Sequence, residues 1–128
     1  MDAKFSQKIK DVLSYSKEEA VRLGNAFITP EHFFLGIIRE GDGIAIDILV
    51  LKSNGINELK HLVECSIKQN SGVKVKDVEN MPMLKSSERI LKMVYLEARL
   101  LKNETVTTGH LLLAILREES SAVAKILM

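Results

Sequence analysis

The sequence predicts an all-α fold: two pseudo-symmetric four-helix repeats, the second truncated, packed as one globular domain. Three observations lead there. Apolar residues recur at helical spacing along successive stretches, helix-starting and helix-ending residues punctuate those stretches, and the whole pattern is written a second time. At 128 residues the chain suffices for one domain, whose core buries roughly 65–70% of the unfolded surface.

The first stretch carries Phe5, Ile9, Val12, Leu13, Ala20 and Leu23 on one helical stripe, with Ser6 placed to cap its start. Gly24 and Asn25 end it, since both residue types tolerate the left-handed conformation. Thr29-Pro30-Glu31-His32 then reads as a helix start, with threonine at N-cap, proline where its missing N–H is not needed, and an acid facing the macrodipole. This helix is expected from Pro30 to about Glu40, is apolar all round at Phe33–Ile38, and stops at Gly41-Asp42-Gly43. A short helix from Ile44 to about Leu51 follows. After the Ser53-Asn54-Gly55 turn comes an amphipathic helix bearing Ile56, Leu59, Leu62, Val63 and Ile67. Small and charged residues without a stripe then mark a linker.

The pattern restarts 78 positions on, as His110 minus His32 shows. Leu13/Leu91, Glu19/Glu97, Ala20/Ala98, Leu23/Leu101 and Asn25/Asn103 match, followed by Thr29/Thr107, His32/His110, Leu35/Leu113 and Ile37/Ile115. Arg39/Arg117, Glu40/Glu118, Ile48/Ile126 and Leu49/Leu127 continue it. Such a repeat implies one supersecondary unit burying its apolar face against its copy across a pseudo-two-fold axis. The expected organisation is one domain over 1–128, with repeat one at 5–70, a linker at 71–82 and repeat two at 83–128. The second copy reaches Met128 before a counterpart to the Ile56–Ile67 helix, so the natural domain is expected to continue, with seven helices here and eight in all.

Composition excludes several classes. Eighteen Lys and Arg against 17 Asp and Glu leave a formal charge of +1, too little field to hold a nucleic acid. Apolar runs fall far short of a membrane span, and the N-terminus has no signal-peptide core. The lone Cys65 has no internal disulfide partner, which favours a reducing compartment, the cytoplasm. Neither a phosphate-binding Gly-x-x-x-x-Gly-Lys loop nor a Cys-x-x-Cys or His-Glu-x-x-His motif is written, so no cofactor, metal or catalytic chemistry is expected.

Two copies of a helix followed by Thr-x-x-His, an apolar run and Arg-Glu resemble the double-repeat N-terminal domain of Clp AAA+ unfoldases, the ClpC branch in particular. Phe5-Ser6 is similar to the family's Phe-Thr start, Glu18-Glu19-Ala20 to its Glu-Glu-Ala, and Thr29-Pro30-Glu31-His32 to its Thr-Glu-His segment. The resemblance implies a non-catalytic module that recruits adaptor proteins and protein substrates to ATPase rings working with the Clp peptidase. In the ClpC branch it also implies binding of phosphoarginine. The recognition carboxylate carries over to Glu31. A carboxylate pairs bidentately with an arginine fork, and a phosphoryl group suits the free N–H groups of a helix start. The expected ligand-binding residues are therefore Glu31 and Thr29 with Phe5, Ser6 and Lys8, Lys4 adding charge. The second copy has Gly109 in place of the carboxylate, Met83 in place of Phe5, and Leu84-Lys85 at its opening, so one competent pocket is expected.

Each residue also has a plainer reading. Glu31 serves equally as a first-turn acid favoured by the dipole. His32 and His110 are expected to be structural, hydrogen-bonded histidines, and Arg39 and Arg117 to meet the last carbonyls of their helices. Cys65 is expected to be a buried or half-buried small hydrophobe, and Met81, Met83 and Met93 to fill gaps in the core. Three rivals stand beside the recruiting module: a standalone Clp-associated regulator without ATPase rings, a small hydrolase using Glu31 with His32 or His110, and a structural solenoid. Neighbouring helix positions point about 100° apart, which counts against the hydrolase. A monomer is the expected state.

Overall fold

The computed structural model describes residues 4–5, 7–41, 46–47, 49–50, 55–67, 82–100, 105–118 and 122–127. Six helices stand among them: α1 (Gln7–Arg22), α2 (Pro30–Glu40), α3 (Ile56–Ser66), α4 (Lys85–Leu100), α5 (Thr108–Arg117) and α6 (Ala122–Leu127). Residues 46, 47, 49 and 50 are also helical, where the short helix from Ile44 was expected. Ser6 and most of the expected linker lie outside the described residues.

Helix α1 buries Ile9, Val12, Ser16, Glu19 and Ala20, the three-and-four spacing of one face. It ends where expected. Gly24 adopts φ 75°, Leu23 N–H donates to the Glu19 carbonyl, and Asn25 N–H reaches back to the Ala20 carbonyl at 2.8 Å. Helix α2 has the predicted bounds and ends on Gly41 at φ 75°, whose N–H donates to the Ile37 carbonyl at 3.1 Å. Seven of its eleven residues are buried, including Phe33, Phe34, Leu35 and Ile37, because helices cover it on several sides.

Helix α1 packs on α2, and α4 packs on α5 in the same way. Across the copies α2 meets α5, while α1 touches α5 and α4 touches α2, the reciprocal contacts a two-fold axis generates. One core results, in which Val12 and Ile90, Ala20 and Ala98, Phe33 and Leu111, and Ile37 and Ile115 occupy equivalent buried places. The copies differ where α1 approaches α2. A Cβ on Gly36 would stand 2.6 Å from the Val12 carbonyl oxygen and 2.7 Å from Ser16 Oγ. The second copy has Ala114 there, with Ile90 and Val94 at the positions of Val12 and Ser16.

The crossing of the copies extends to short backbone pairings. β1 (Lys4–Phe5) runs parallel to β2 (Thr105–Val106), with Phe5 opposite Val106. Met83 pairs in parallel with Ile28, which is the same pairing with the copies exchanged. These pairs, two residues long or shorter, leave the fold all-α.

One asymmetry bears on the surface. Leu35 is 1% exposed but its counterpart Leu113 is 48% exposed. Helix α3 packs on α2 and α6 with Leu59 and Val63 buried, and among the described residues nothing occupies the corresponding place on α5.

Several expectations are corrected. Cys65 is exposed, on the outer side of α3, with Sγ 3.5 Å from His61 Nε2. Leu62, expected on the buried stripe, is exposed, and so is Met93. Arg39 and Arg117 reach acids of the preceding helix of their own copy rather than helix-end carbonyls. Arg39 pairs with Glu18 at 3.2 Å and stacks 4.7 Å over the Tyr15 ring, whereas Arg117 pairs with Glu97. The choice of acid differs because Arg22 already holds Glu19 at 2.6 Å and also pairs with Glu64 of α3. Leu100 replaces Arg22 in the second copy, which leaves Glu97 to Arg117.

Candidate functional site

The start of α2 is fixed by a reciprocal cap. Thr29 is N-cap in extended backbone (φ −105°, ψ 166°), and its N–H donates to His32 Nδ1 at 2.8 Å. The second copy repeats this with Thr107 N–H donating to His110 Nδ1 at 2.9 Å, from a nearly identical backbone (φ −107°, ψ 169°). Histidine thus fills the third helical position where glutamate or glutamine usually completes a capping box. Because Nδ1 accepts a backbone N–H, the proton sits on Nε2, which donates to Asn25 Oδ1 at 3.0 Å. Burial drives the His32 imidazole down to about 4, against an upward pull from the Glu31 carboxylate. His32 is fully buried, neutral at pH 7, and occupied at both ring nitrogens. It cannot act as a base beside Glu31.

Glu31, the second residue of α2, is half-buried. Its Oε1 accepts the Ala122 N–H at 2.8 Å, so a carboxylate of the first copy caps the last helix of the second. A carboxylate has about four acceptor positions, so this bond leaves capacity for a guanidinium. Gly109 holds the equivalent place on α5 and supplies no acid.

The pairing just before the Thr29 cap sets the start of α4 next to that of α2. Ile28, just before the Thr29 cap, donates its N–H to the Pro82 carbonyl at 3.0 Å, and its carbonyl accepts from Leu84 N–H at 3.1 Å and Ser87 Oγ at 2.8 Å. The first intrahelical bond of α4 runs from Glu88 N–H to the Leu84 carbonyl, so the N–H groups of Lys85, Ser86 and Ser87 precede it. By the exchanged pairing, Phe5 lies opposite Val106, next to the Thr107 cap of α5. Of the expected site residues, Thr29 and Glu31 share one helix start. Phe5 and the exposed Lys8 belong to the other pairing, at the opening of α1, and Ser6 lies outside the described residues. Asn25 was legible as half of the repeated Asn25/Asn103 pair, but Ser87 and Ala122, which tie this corner together, carry no motif by which sequence could have singled them out.

A family model described as the Clp repeat (R) N-terminal domain matches residues 4–128. This chain belongs to that family. Among curated relatives it is 38% identical over 129 residues to the chloroplastic chaperone protein ClpC2 of Arabidopsis thaliana, covering 99% of this chain and 13% of that protein. It is 33% identical over 127 residues to the chaperone protein ClpB of Oceanobacillus iheyensis, covering 99% of this chain and 15% of that protein. The chain thus spans about a seventh of the length of these relatives. Among solved structures, the N-terminal domain of the ClpD chaperone from Arabidopsis thaliana superposes with a TM-score of 0.76 at 16% identity, over 97% of this chain and 82% of that one. The N-terminal domain of the ClpV1 ATPase from E. coli gives 0.69 at 19% identity, over 88% and 68%. The shared fold is the all-α Clp N-terminal domain, a non-catalytic part of Clp ATPases. Among the described residues no group of three or more metal-ligating side chains converges, and no helix is long and apolar enough to cross a membrane.

Proposed function

We propose that this chain recruits proteins to a Clp ATPase of the cytoplasm, and that its recruiting pocket at Glu31 takes phosphoarginine. The observation that carries the reading is the corner where the half-buried Glu31 carboxylate stands at the start of α2 while Ile28 and Met83 pair, setting the start of α4 alongside. The carboxylate suits the arginine fork, and the N–H groups of Lys85, Ser86 and Ser87 with the Lys85 ammonium suit the phosphoryl group. The pairing favours α4 over Ser6 and Lys8 as the phosphate side. Gly109 supplies no acid to the exchanged corner, so one pocket per chain is competent. A ClpC-type parent, with ATPase rings that work with the Clp peptidase and with adaptor proteins as further partners, agrees with the 38% identity to ClpC2. A standalone regulator is the alternative, and coding sequence past Met128 separates the two.

A structural role for Glu31, as the cap of α6, rests on its bond to Ala122. Calorimetric titration with phosphoarginine distinguishes the readings. Glu31→Gln keeps an acceptor for the Ala122 N–H and removes the charge, so it abolishes binding without unfolding. Glu31→Ala loses both, and Gly109→Ala leaves binding intact. Unchanged binding in Glu31→Gln, or equal losses from Glu31→Ala and Gly109→Ala, refutes the proposal.

A further inference from the structure

We propose that the outer face of α4 docks an acidic amphipathic helix of a partner protein. The repeat provides an internal control for what the fold itself requires at this face. On α4 the outward positions are Lys92, Met93, Leu96, Arg99 and Leu100, and the apolar three are 42%, 53% and 79% exposed. The same positions on α1 carry Ser14, Tyr15, Glu18, Val21 and Arg22. The first copy keeps the helix with balanced charge and a single exposed aliphatic residue, Val21, at these positions, whereas the second bears exposed methionine and leucines flanked by two uncompensated cations. Leu100 stands where Arg22 reaches Glu64 of α3, and among the described residues no helix fills that place in the second copy, whereas Met93 and Leu96 are exposed two turns and one turn away from it.

The stripe from Lys92 to Leu100 runs about 12 Å, two helical turns, which suits another helix laid across it. A shallow, open depression of about 430 Å³ lies beside it among Leu91, Lys92, Tyr95 and Leu96, against which an apolar side chain can pack. Among the described residues Lys92 has no ion-pair partner, and Arg99 makes only a loose contact 6.0 Å over the Tyr95 ring. The acid on this stretch, Glu97, is taken by Arg117. An apolar seat rimmed by free cations selects an apolar helix edged with carboxylates. A bilayer fits less well, because stable attachment draws on clusters of about four to eight basic residues and this face carries two. A second copy fits less well too, since a two-fold contact would set the cations Lys92 and Arg99 of one copy against those of the other with no acid between them.

This inference names a partner for the recruiting function proposed above, and rests on it, but uses the later turns of α4 rather than its start. The probe is a fluorescent synthetic helix with leucines at third and fourth positions edged by glutamates, compared with its lysine-edged twin by anisotropy. The glutamate peptide binds and the lysine peptide does not. Leu96→Glu and Lys92→Ser, which import the residues α1 already carries, leave the circular dichroism unchanged and weaken binding about tenfold each. Both variants retain phosphoarginine binding. Equal binding of the two peptides, indifference to the two substitutions, tighter binding to phosphatidylglycerol vesicles, or a dimer in sedimentation that Leu96→Glu dissociates would each overturn the proposal. Peptide binding without any phosphoarginine binding would sink the Glu31 pocket alone.

Discussion

Replacing His32 with glutamine should flatten the acid limb of the stability profile while keeping the α2 cap. In the folded chain the imidazole is buried and holds a proton only below about 4, whereas in the unfolded chain it does so below 6.5. Between those values the unfolded state binds one proton more, so stability rises with pH there. The contribution is complete above pH 6.5, falls as the solution is acidified, and is gone below about 4. The gap from 6.5 to about 4, at about 1.4 kcal/mol per pH unit, amounts to about 3 kcal/mol. That is a substantial part of the 5–15 kcal/mol typical of a domain. Glutamine at this helical position still accepts the Thr29 N–H, as in an ordinary capping box, but does not titrate. Urea unfolding at pH 7, 6, 5 and 4.5 measures the effect, and the difference between wild type and His32→Gln removes the carboxylates common to both. The two should diverge with acid, the wild type losing more. Parallel curves over this range would refute the buried, neutral state of His32 argued from its two hydrogen bonds.

Other substitutions test the packing. Gly36→Ala should destabilise by about 1–3 kcal/mol in urea unfolding, because the added methyl meets the Val12 carbonyl and Ser16 Oγ, less about 1 kcal/mol regained in helix propensity. Ser87→Ala should cost about 1 kcal/mol, since the Ile28 carbonyl keeps its bond from Leu84 N–H when the hydroxyl is lost. At Glu31, alanine should lower the thermal midpoint and glutamine should not, because only glutamine retains an acceptor for the Ala122 N–H.

The helix starts were legible because their chemistry is local. Thr29, Pro30 and the acid at 31 lie within one turn, and Gly41 ends the helix by a conformation that glycine adopts freely. The two-fold relation was legible because identical residues recur at one fixed offset. The partner of each helix start was not. Phe5 and Met83 pair across the copies over one or two residues, too short a segment to leave a periodic trace. For the same reason the reading by repeat put the phosphate at the opening of α1, while the exchanged pairing supports the opening of α4. The bond from Glu31 to Ala122 spans 91 residues and joins a carboxylate to a backbone N–H, which any residue but proline supplies. Exposure of Cys65 and Leu62 was hidden because α3 buries only Leu59 and Val63, a narrower stripe than its apolar content suggested.

The most direct test is an amide NMR titration of the isotopically labelled chain with phosphoarginine, using arginine and phosphoserine as controls. Shifts should be confined to Thr29–His32 and Leu84–Glu88, with neither control reproducing them. Shifts centred on Lys8 and Gly109, or a spectrum indifferent to the ligand, would contradict it.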